Sequence, residues 1–167
     1  MKILSIDPGC TESAWLIYDN AGVKGIHSFA KQPNDQLRRE MKPCNDHYIS
    51  GQADHLAIEM VASYGMPVGK EVFETVLWIG RFIEAWGGPF TLIYRKDVKL
   101  HLCGSVRAKD SNIRQALIDR FGAPGTKGNP GATYGISKDV WSALAVAITY
   151  ADRVETKEKL VTRTVSA

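Results

Sequence analysis

Hydrophobic and polar residues alternate over the first sixty positions in the way typical of β-strands. Apolar and β-branched residues cover 2–7, 13–18 and 23–29, and the turn-forming tetrapeptide Asp-Asn-Ala-Gly joins the second and third of these segments at 19–22. A fourth apolar segment, HLAIEMV, covers 55–61. The pattern predicts three antiparallel strands, a polar connection over 31–52 with at most a short helix at 36–41, and a fourth strand.

The segment 69–86 has the spacing of an amphipathic helix. Its main apolar stripe consists of Val72, Val76, Ile79, Ile83 and Trp86, and this spacing predicts one buried face. Leu77, Trp78 and Phe82 lie outside that stripe. Such a surplus of large apolar side chains indicates either a deeper core or a surface for a partner, and both interpretations stay open.

The rest of the chain alternates between short strand and helix patterns. A strand is predicted at 91–94, helices at 96–102 and 110–121, a mobile glycine-rich loop at 122–137, and a helix rich in small residues at 138–154. This order predicts an α/β fold, a mixed sheet with helices on its faces. We expect one domain over 1–155 and a polar, frayed tail over 156–167.

Length and composition fit one globular domain without covalent staples. The chain has 167 residues, 44% of them hydrophobic, and no apolar segment approaches the about 20 residues of a membrane-spanning helix. With no secretory signal visible, we expect no membrane association and a cytoplasmic location. Cys10, Cys44 and Cys103 are an odd number of widely spaced cysteines, which favours reduced thiols. Cys44 and His47 form half of a zinc motif without a second half.

Positive charge is concentrated in one segment. The net charge is only +3, yet residues 95–138 contain nine Lys or Arg against three Asp, so this segment carries an excess of six positive charges. A basic segment of this kind neutralises phosphates in nucleic-acid binding proteins. A solvated helix face explains such a charge distribution equally well.

Three acidic residues occupy positions where carboxylates do chemistry. Asp7 ends the first strand before Pro8-Gly9, Glu59 lies near the end of the fourth strand, and Asp139 lies in the first turn of the last helix. Two of these acids also have a purely structural interpretation. Asp7 could simply start a turn, and Asp139 could be favoured by the helix dipole. Glu59 lies in a strand that is apolar on both faces, where an unpaired carboxylate is costly. If the first and fourth strands are adjacent, the three acids converge, and such a set binds hard cations such as Mg²⁺ or Mn²⁺.

These motifs, taken in order, resemble a known family. The motifs are IDPG at the first strand, AIE in the fourth, IGRF in the following helix, VKLHLCGSVRAKDSNIRQALIDRFG, and an acid leading into ALAVA. Together they are similar to the motifs of the RuvC-type Holliday junction resolvases of the RNase H-like superfamily. The similarity covers about residues 2–153, and the compact length looks more like phage-encoded members. The resemblance implies an RNase H-like mixed five-stranded sheet with helices on both faces. A phage-encoded member would act in the cytoplasm of a bacterial host.

The resemblance also implies an activity. Members of the family are structure-selective endodeoxyribonucleases that depend on divalent metal and resolve four-way junctions, or other branched DNA, by paired symmetric nicks made by a homodimer. Asp7, Glu59 and Asp139 would be the catalytic residues, holding about two Mg²⁺ or Mn²⁺ ions that activate a water and leave a 5′-phosphate and a 3′-hydroxyl. Ser142 stands where the family commonly has a fourth acid, so it would be only a weak metal ligand.

Further roles follow from the same resemblance. The expected DNA-binding residues are Tyr64, by stacking on a base, and Lys96, Lys99, Arg107, Lys109, Lys127 and Lys138. The resemblance implies a homodimer, and the surplus of apolar residues on the helix 69–86 indicates its interface, which we expect to consist of Phe73, Leu77, Trp78, Ile79 and Phe82. Two alternatives remain: a branched-DNA-binding protein without catalysis, and an RNase H-like nuclease that processes RNA.

Overall fold

A mixed five-stranded sheet forms the centre of the molecule in the computed structural model, which describes residues 1–20, 25–42, 49–63 and 65–165. The strands are β1 Lys2–Asp7, β2 Glu12–Asp19, β3 Ile26–Pro33, β4 His55–Met60 and β5 Phe90–Tyr94. Their order is β3-β2-β1-β4-β5; β2 is antiparallel to β1 and β3, and β4 is parallel to β1 and β5. This confirms the expected RNase H-like sheet.

Helices cover both faces of the sheet. They are α1 Asn34–Glu40, α2 Lys70–Trp86, α3 Arg95–Cys103, α4 Asp110–Phe121 and α5 Lys138–Val165. One hydrophobic core lies between the sheet and α1 and α2, and the other lies between the sheet and α3, α4 and α5. Because side chains alternate along a strand, Leu4 and Ile6 of β1 enter the first core whereas Ile3 enters the second. Both faces of the central strands are therefore buried.

Several predicted boundaries are wrong. Strand β3 was expected to end at residue 29, but its pairing with β2 extends it to Pro33. The segment 122–137 was expected to be a mobile loop, yet it contains a small hairpin of β6 Gly125–Thr126 and β7 Asn129–Pro130. Helix α5 was expected to end at residue 154, but no Gly or Pro interrupts it and it continues to Val165.

Two other expectations concern membranes and thiols. None of the described helices has the length and apolar character needed to cross a bilayer. Cys10 and Cys103 are free thiols, as expected. Cys44 and His47, the half zinc motif, lie outside the described residues.

Candidate functional site

Asp7 sits at the carboxyl end of β1, where a buried polar network fixes the following turn. The Gly9 N–H donates to Ser13 Oγ at 3.2 Å, and Asn34 Nδ2 donates to the Gly9 carbonyl at 2.9 Å. Ser13 Oγ in turn donates to Asn34 Oδ1 at 2.6 Å. A side chain at Gly9 would collide with the Glu12 carbonyl oxygen, so this turn requires glycine. The carboxyl group of Asp7 is therefore presented from a rigid support.

Glu59 lies beside Asp7 at the same edge of the sheet. The parallel register pairs Ile6 of β1 with Ile58 of β4, so the next residue of each strand is Asp7 and Glu59. Ile3 and Ala57, which point to the same face as these two acids, belong to the core packed against α5. Both carboxylates therefore lie on the face that α5 covers, and Glu59 is 9% exposed.

The first turns of α5 complete the set. Asp139 is close enough to Asp7 to influence its ionisation, and the Ser142 hydroxyl is a hydrogen-bond partner of the Asp7 carboxyl group. Asp7 and Asp139 also line one cavity of about 340 Å³. The structure thus brings all four predicted site residues to one edge of the sheet, and Ser142 contacts an acid there.

The electrostatics of this edge favour a cation. Burial raises the pKa of Asp7 to about 7, and the neighbouring charges of Glu59 and Asp139 add to this effect, whereas Arg95 and Ser142 oppose it. Burial also raises the pKa of Glu59, and Arg95 again lowers it. Closely spaced carboxylates in a partly desolvated site disfavour their ionised forms. A divalent cation would relieve that cost.

Two basic side chains already pair with the acids. Arg95 places Nη1 3.2 Å from Glu59 Oε2 and Nη2 2.6 Å from Asp110 Oδ1. Lys31 Nζ lies 2.8 Å from Asp139 Oδ2 and 3.5 Å from a carboxylate oxygen of Glu12. Across the described ranges, no three His, Cys, Asp or Glu side chains are grouped to hold a metal ion.

The donor chemistry nevertheless fits a hard divalent ion. The available ligands are carboxylate and hydroxyl oxygens, the type that Mg²⁺ and Mn²⁺ prefer. Two of the carboxylates, Glu59 and Asp139, are held by Arg95 and Lys31. A metal ion bound by all three acids therefore requires these two basic groups to move aside.

Sequence analysis did not identify Arg95 and Lys31 as site residues, although the strand register places both. Arg95 is the first residue after β5, which pairs with β4 so that Met60 is opposite Tyr94. Asp7 of β1 lies opposite Ala14 of β2, and Ala14 lies opposite Lys31 of β3. The register therefore aligns Lys31 with Asp7 across the three strands. The signal for Lys31 was hidden because the predicted β3 ended at residue 29, two residues before Lys31.

The predicted DNA-binding residues that the structure describes lie on α3, between α3 and α4, in the β6–β7 hairpin and at the start of α5. Lys96 and Lys99 line a cavity of about 390 Å³ together with Arg95 and Val106. Arg107 and Lys109 are exposed between α3 and α4. Lys127 lies in the turn of the β6–β7 hairpin, and Lys138 is the first residue of α5. Tyr64 lies outside the described residues.

The predicted dimer interface is partly wrong. Ile79 and Phe82 are 3% and 0% exposed and belong to the core between α2 and the sheet. They cannot reach a partner because the face of α2 that they occupy packs on the chain's own strands. Trp78 is partly buried against the same core. Phe73 and Leu77 are 65% and 54% exposed and remain interface candidates.

Comparisons with known proteins support the fold. No protein-family model matches the chain, and no curated protein does. A Thermus thermophilus RuvC structure is 15% identical, with a TM-score of 0.70 over 94% of this chain and 97% of that one. T. thermophilus RuvC in complex with a Holliday junction substrate is 17% identical, with a TM-score of 0.68 over 94% of this chain and 96% of that one. The chain therefore has the RuvC fold over nearly its whole length.

Proposed function

We propose that this protein is a metal-dependent endodeoxyribonuclease that resolves four-way DNA junctions by paired symmetric nicks. The observation that carries the proposal is that Asp7 and Glu59 lie side by side at the carboxyl edge of β1 and β4, with Asp139 of α5 lining the same cavity as Asp7. Support comes from the fold, since a solved structure with this fold is RuvC bound to a Holliday junction substrate. The basic segment 95–138, which carries an excess of six positive charges, contains α3 and α4, and these helices pack on the same face of the sheet as α5.

The chemistry is hydrolysis of a phosphodiester bond. A water oxygen attacks the phosphorus, the bond to the 3′-oxygen breaks, and the products are a 5′-phosphate and a 3′-hydroxyl that gains a proton. Mg²⁺ or Mn²⁺, held by Asp7, Glu59 and Asp139 and weakly by Ser142, would supply Lewis-acid stabilisation and a more acidic water. The rigid turn after Asp7 fixes the first carboxylate, and the Ser142 hydroxyl orients it.

DNA binding is assigned to the basic residues around the acid site. Phosphate contacts from such residues give sequence-independent, salt-sensitive affinity. The proposed contacts are Lys96, Lys99, Arg107, Lys109, Lys127 and Lys138, with Tyr64 stacking on a base. Branched DNA presents several backbones at once, which suits basic groups that are distributed over α3, the hairpin and the start of α5.

Paired nicks require two active sites, which a homodimer supplies. The exposed side of α2 carries Phe73, Val76 and Leu77, which are 65%, 39% and 54% exposed. Gly80 continues this ridge, and a Cβ placed there meets no described atom within 4 Å beyond its chain neighbours and the backbone of its own helix. A helical glycine costs about 1 kcal/mol relative to alanine, and close approach of a second chain explains its presence.

A branched-DNA-binding protein without catalysis is the second candidate. The observations that favour it are the ion pairs that Arg95 and Lys31 make with Glu59 and Asp139, and the serine at position 142. If these ion pairs persist, the site cannot gather three carboxylates around one ion.

The test compares Asp7→Asn with wild type on a synthetic four-way junction, a linear duplex of the same sequence and a structured RNA, with Mg²⁺, with Mn²⁺ and with EDTA. We expect wild type to nick only the junction, and only with metal. Asp7→Asn should lose cleavage by at least about 100-fold, as expected for loss of a metal ligand, while junction affinity in EDTA is retained. Asp119→Asn, an exposed acid on α4, is the matched control and should cut normally.

Each outcome decides between the candidates. Retained cleavage in Asp7→Asn would contradict the assigned site. Junction binding by wild type without cleavage at any Mg²⁺ or Mn²⁺ concentration would establish the non-catalytic alternative. Cleavage of the RNA in preference to the junction would replace the proposal with an RNA-processing nuclease.

A further inference from the structure

A groove of about 700 Å³ opens beside the acid site, between the start of α4 and the start of α5. Asp139 and Ser142 lie on its wall, so it continues outward from the proposed site of cleavage. Asp139, Ser142 and Lys138 were predicted from the sequence to be functional, whereas the remaining groove residues on α4 and α5 were not. Its volume lies within the about 300–1,000 Å³ typical of small-ligand sites, which fits a nucleotide and not a duplex.

The lining of the groove combines apolar groups with charged groups of both signs, the acids being Asp110 and Asp139. Its apolar wall is formed by Ile113, Ile136 and Trp141. Positive charge comes from Arg114 and Lys138. In the described part of the chain, neither Arg114 nor Lys138 takes part in an ion pair. Their charges are therefore available to an anion. A phosphate alone would need no apolar wall, whereas a nucleotide uses both kinds of surface.

Arg114 is held in place by an aromatic ring. Its guanidinium carbon lies 5.3 Å from the centre of the Trp141 ring, and Trp141 itself is 6% exposed. The cation–π contact restricts the arginine before any ligand arrives, which lowers the entropy lost on binding. Nucleic-acid bases stack on guanidinium planes as well as on aromatic rings. Arg114 thus offers a base a preformed stacking partner on its groove side.

We propose that this groove binds one unpaired deoxynucleotide of the strand to be cut, next to the scissile phosphate. The base stacks on Arg114 over Trp141, and Lys138 contacts the adjoining phosphate. Base pairs at the crossover of a four-way junction lack continuous stacking, so a nucleotide there is unpaired at a lower cost than one inside an intact duplex. The groove therefore contributes to the choice of branched DNA. The proposal rests on the proposed function, because the acid site defines which phosphate is scissile.

The test replaces Arg114 by Met and measures binding to a four-way junction in EDTA. A 2-aminopurine at the crossover reports unstacking of the nearest base, and a second junction carries it in the middle of an arm. Arg81→Met is the matched control, because Arg81 lies 4.6 Å from the centre of the Trp78 ring on α2, away from the groove. We expect Arg114→Met to bind about 5- to 100-fold more weakly, the range for loss of one stacked base. Arg81→Met should bind like wild type.

Two further variants separate stacking from charge and from misfolding. Arg114→Lys keeps the charge, and we expect it to lose the crossover 2-aminopurine change while retaining the salt dependence of wild type. Lys138→Met should reduce the slope of log affinity against log salt by about 1 and leave the 2-aminopurine change in place. Thermal unfolding of each variant, compared with Arg81→Met, identifies any loss of fold.

The groove proposal is overturned if Arg114→Met binds the junction as tightly as Arg81→Met, or if the crossover 2-aminopurine signal is equal in wild type, Arg114→Met and Arg114→Lys. Because binding is measured without metal, this result is independent of cleavage. A wild-type protein that binds through Arg114 but never cuts would overturn the nuclease function and leave the nucleotide site standing.

Discussion

At the scale of single residues, the pKa of Asp7 couples the site to the stability of the fold. Its folded value of about 7 lies above the ordinary 3.8, so the folded state binds a proton more tightly than the unfolded state does. This contribution to stability is fully present below about pH 4 and is lost as the pH rises through 7. Above pH 7, ionised Asp7 therefore destabilises the metal-free fold by on the order of 2–4 kcal/mol.

Asp7→Asn removes this penalty, because asparagine carries no charge at any pH. We expect the metal-free variant to melt about 5–10 °C above wild type at pH 8, with a difference near zero at pH 4. Calorimetry in EDTA at both pH values measures this, and Mg²⁺ should stabilise wild type but not the variant. An equal difference at the two pH values would mean that Asp7 is not ionising within its folded environment.

The second prediction at this scale concerns Lys31 and the metal. Lys31 and a divalent cation compete for Asp139, since the lysine ammonium lies 2.8 Å from that carboxylate. The side chains are 42% and 45% exposed, so the pair contributes only ~0–1 kcal/mol. Lys31→Met should therefore raise Mn²⁺ affinity, by up to about fivefold. Lys31→Arg preserves the pair and should leave the affinity unchanged.

The measurement is titration calorimetry with Mn²⁺, supported by electron paramagnetic resonance of the free ion. Lys70→Met is the control. Lys70 pairs with Glu74 at 3.2 Å on α2, which packs on the opposite face of the sheet from α5, and its replacement removes the same charge. Weaker Mn²⁺ binding by Lys31→Met would show that the lysine supports the site instead of competing for it. Equal gains in Mn²⁺ affinity in Lys31→Met and Lys70→Met would show that the gain comes from the change in net charge alone.

At the scale of elements, local patterns predicted the parts of the site that lie on regular structure. Strand β1 and helix α4 have the predicted bounds, and β4 differs by one residue. Strand β1 is an apolar segment that stops before Pro8-Gly9, and α4 ends at Gly122, so local turn and helix-ending residues set these bounds. Because Asp7 is the last residue of β1 and Glu59 the last but one of β4, they come together once β1 and β4 are neighbours.

The remaining features depend on contacts between elements, which local patterns do not contain. Lys31 reaches Asp139 only because β3 continues its pairing with β2 past residue 29. Phe82 lay outside the predicted stripe of α2, yet it packs against the sheet because the position of the helix over β1 and β4 decides which face is inward. Arg114 and Trp141 meet from two helices, so their spacing in the sequence carries no signal.

At the scale of the whole molecule, the two faces of the sheet have separate roles. The acids and the groove lie on the α5 side, whereas α2 packs on the opposite face and presents its apolar ridge outward. A dimer formed through this ridge would leave both acid sites uncovered. Association and cleavage are therefore separable by mutation.

Leu77→Gln tests that separation. Leu77 on α2 and Leu100 on α3 are 54% and 55% exposed, so Leu100→Gln is a control of nearly equal exposure outside the ridge. We expect wild type and Leu100→Gln to sediment as dimers at micromolar concentration and Leu77→Gln as a monomer, because burying a leucine contributes about 1.5–3 kcal/mol per side chain. A dimeric Leu77→Gln or a monomeric wild type would contradict the α2 interface.

The same variants predict how cleavage is coupled on a supercoiled plasmid that extrudes a cruciform. A single nick relaxes the supercoiling that maintains the cruciform, so the second nick must follow before the substrate is lost. A dimer places two acid sites on one junction and should yield linear product. The monomeric Leu77→Gln keeps its chemistry, since Leu77 lies on the face away from Asp7, and should yield mainly nicked circles. Equal linear product from both proteins would show that paired nicking does not depend on the α2 ridge.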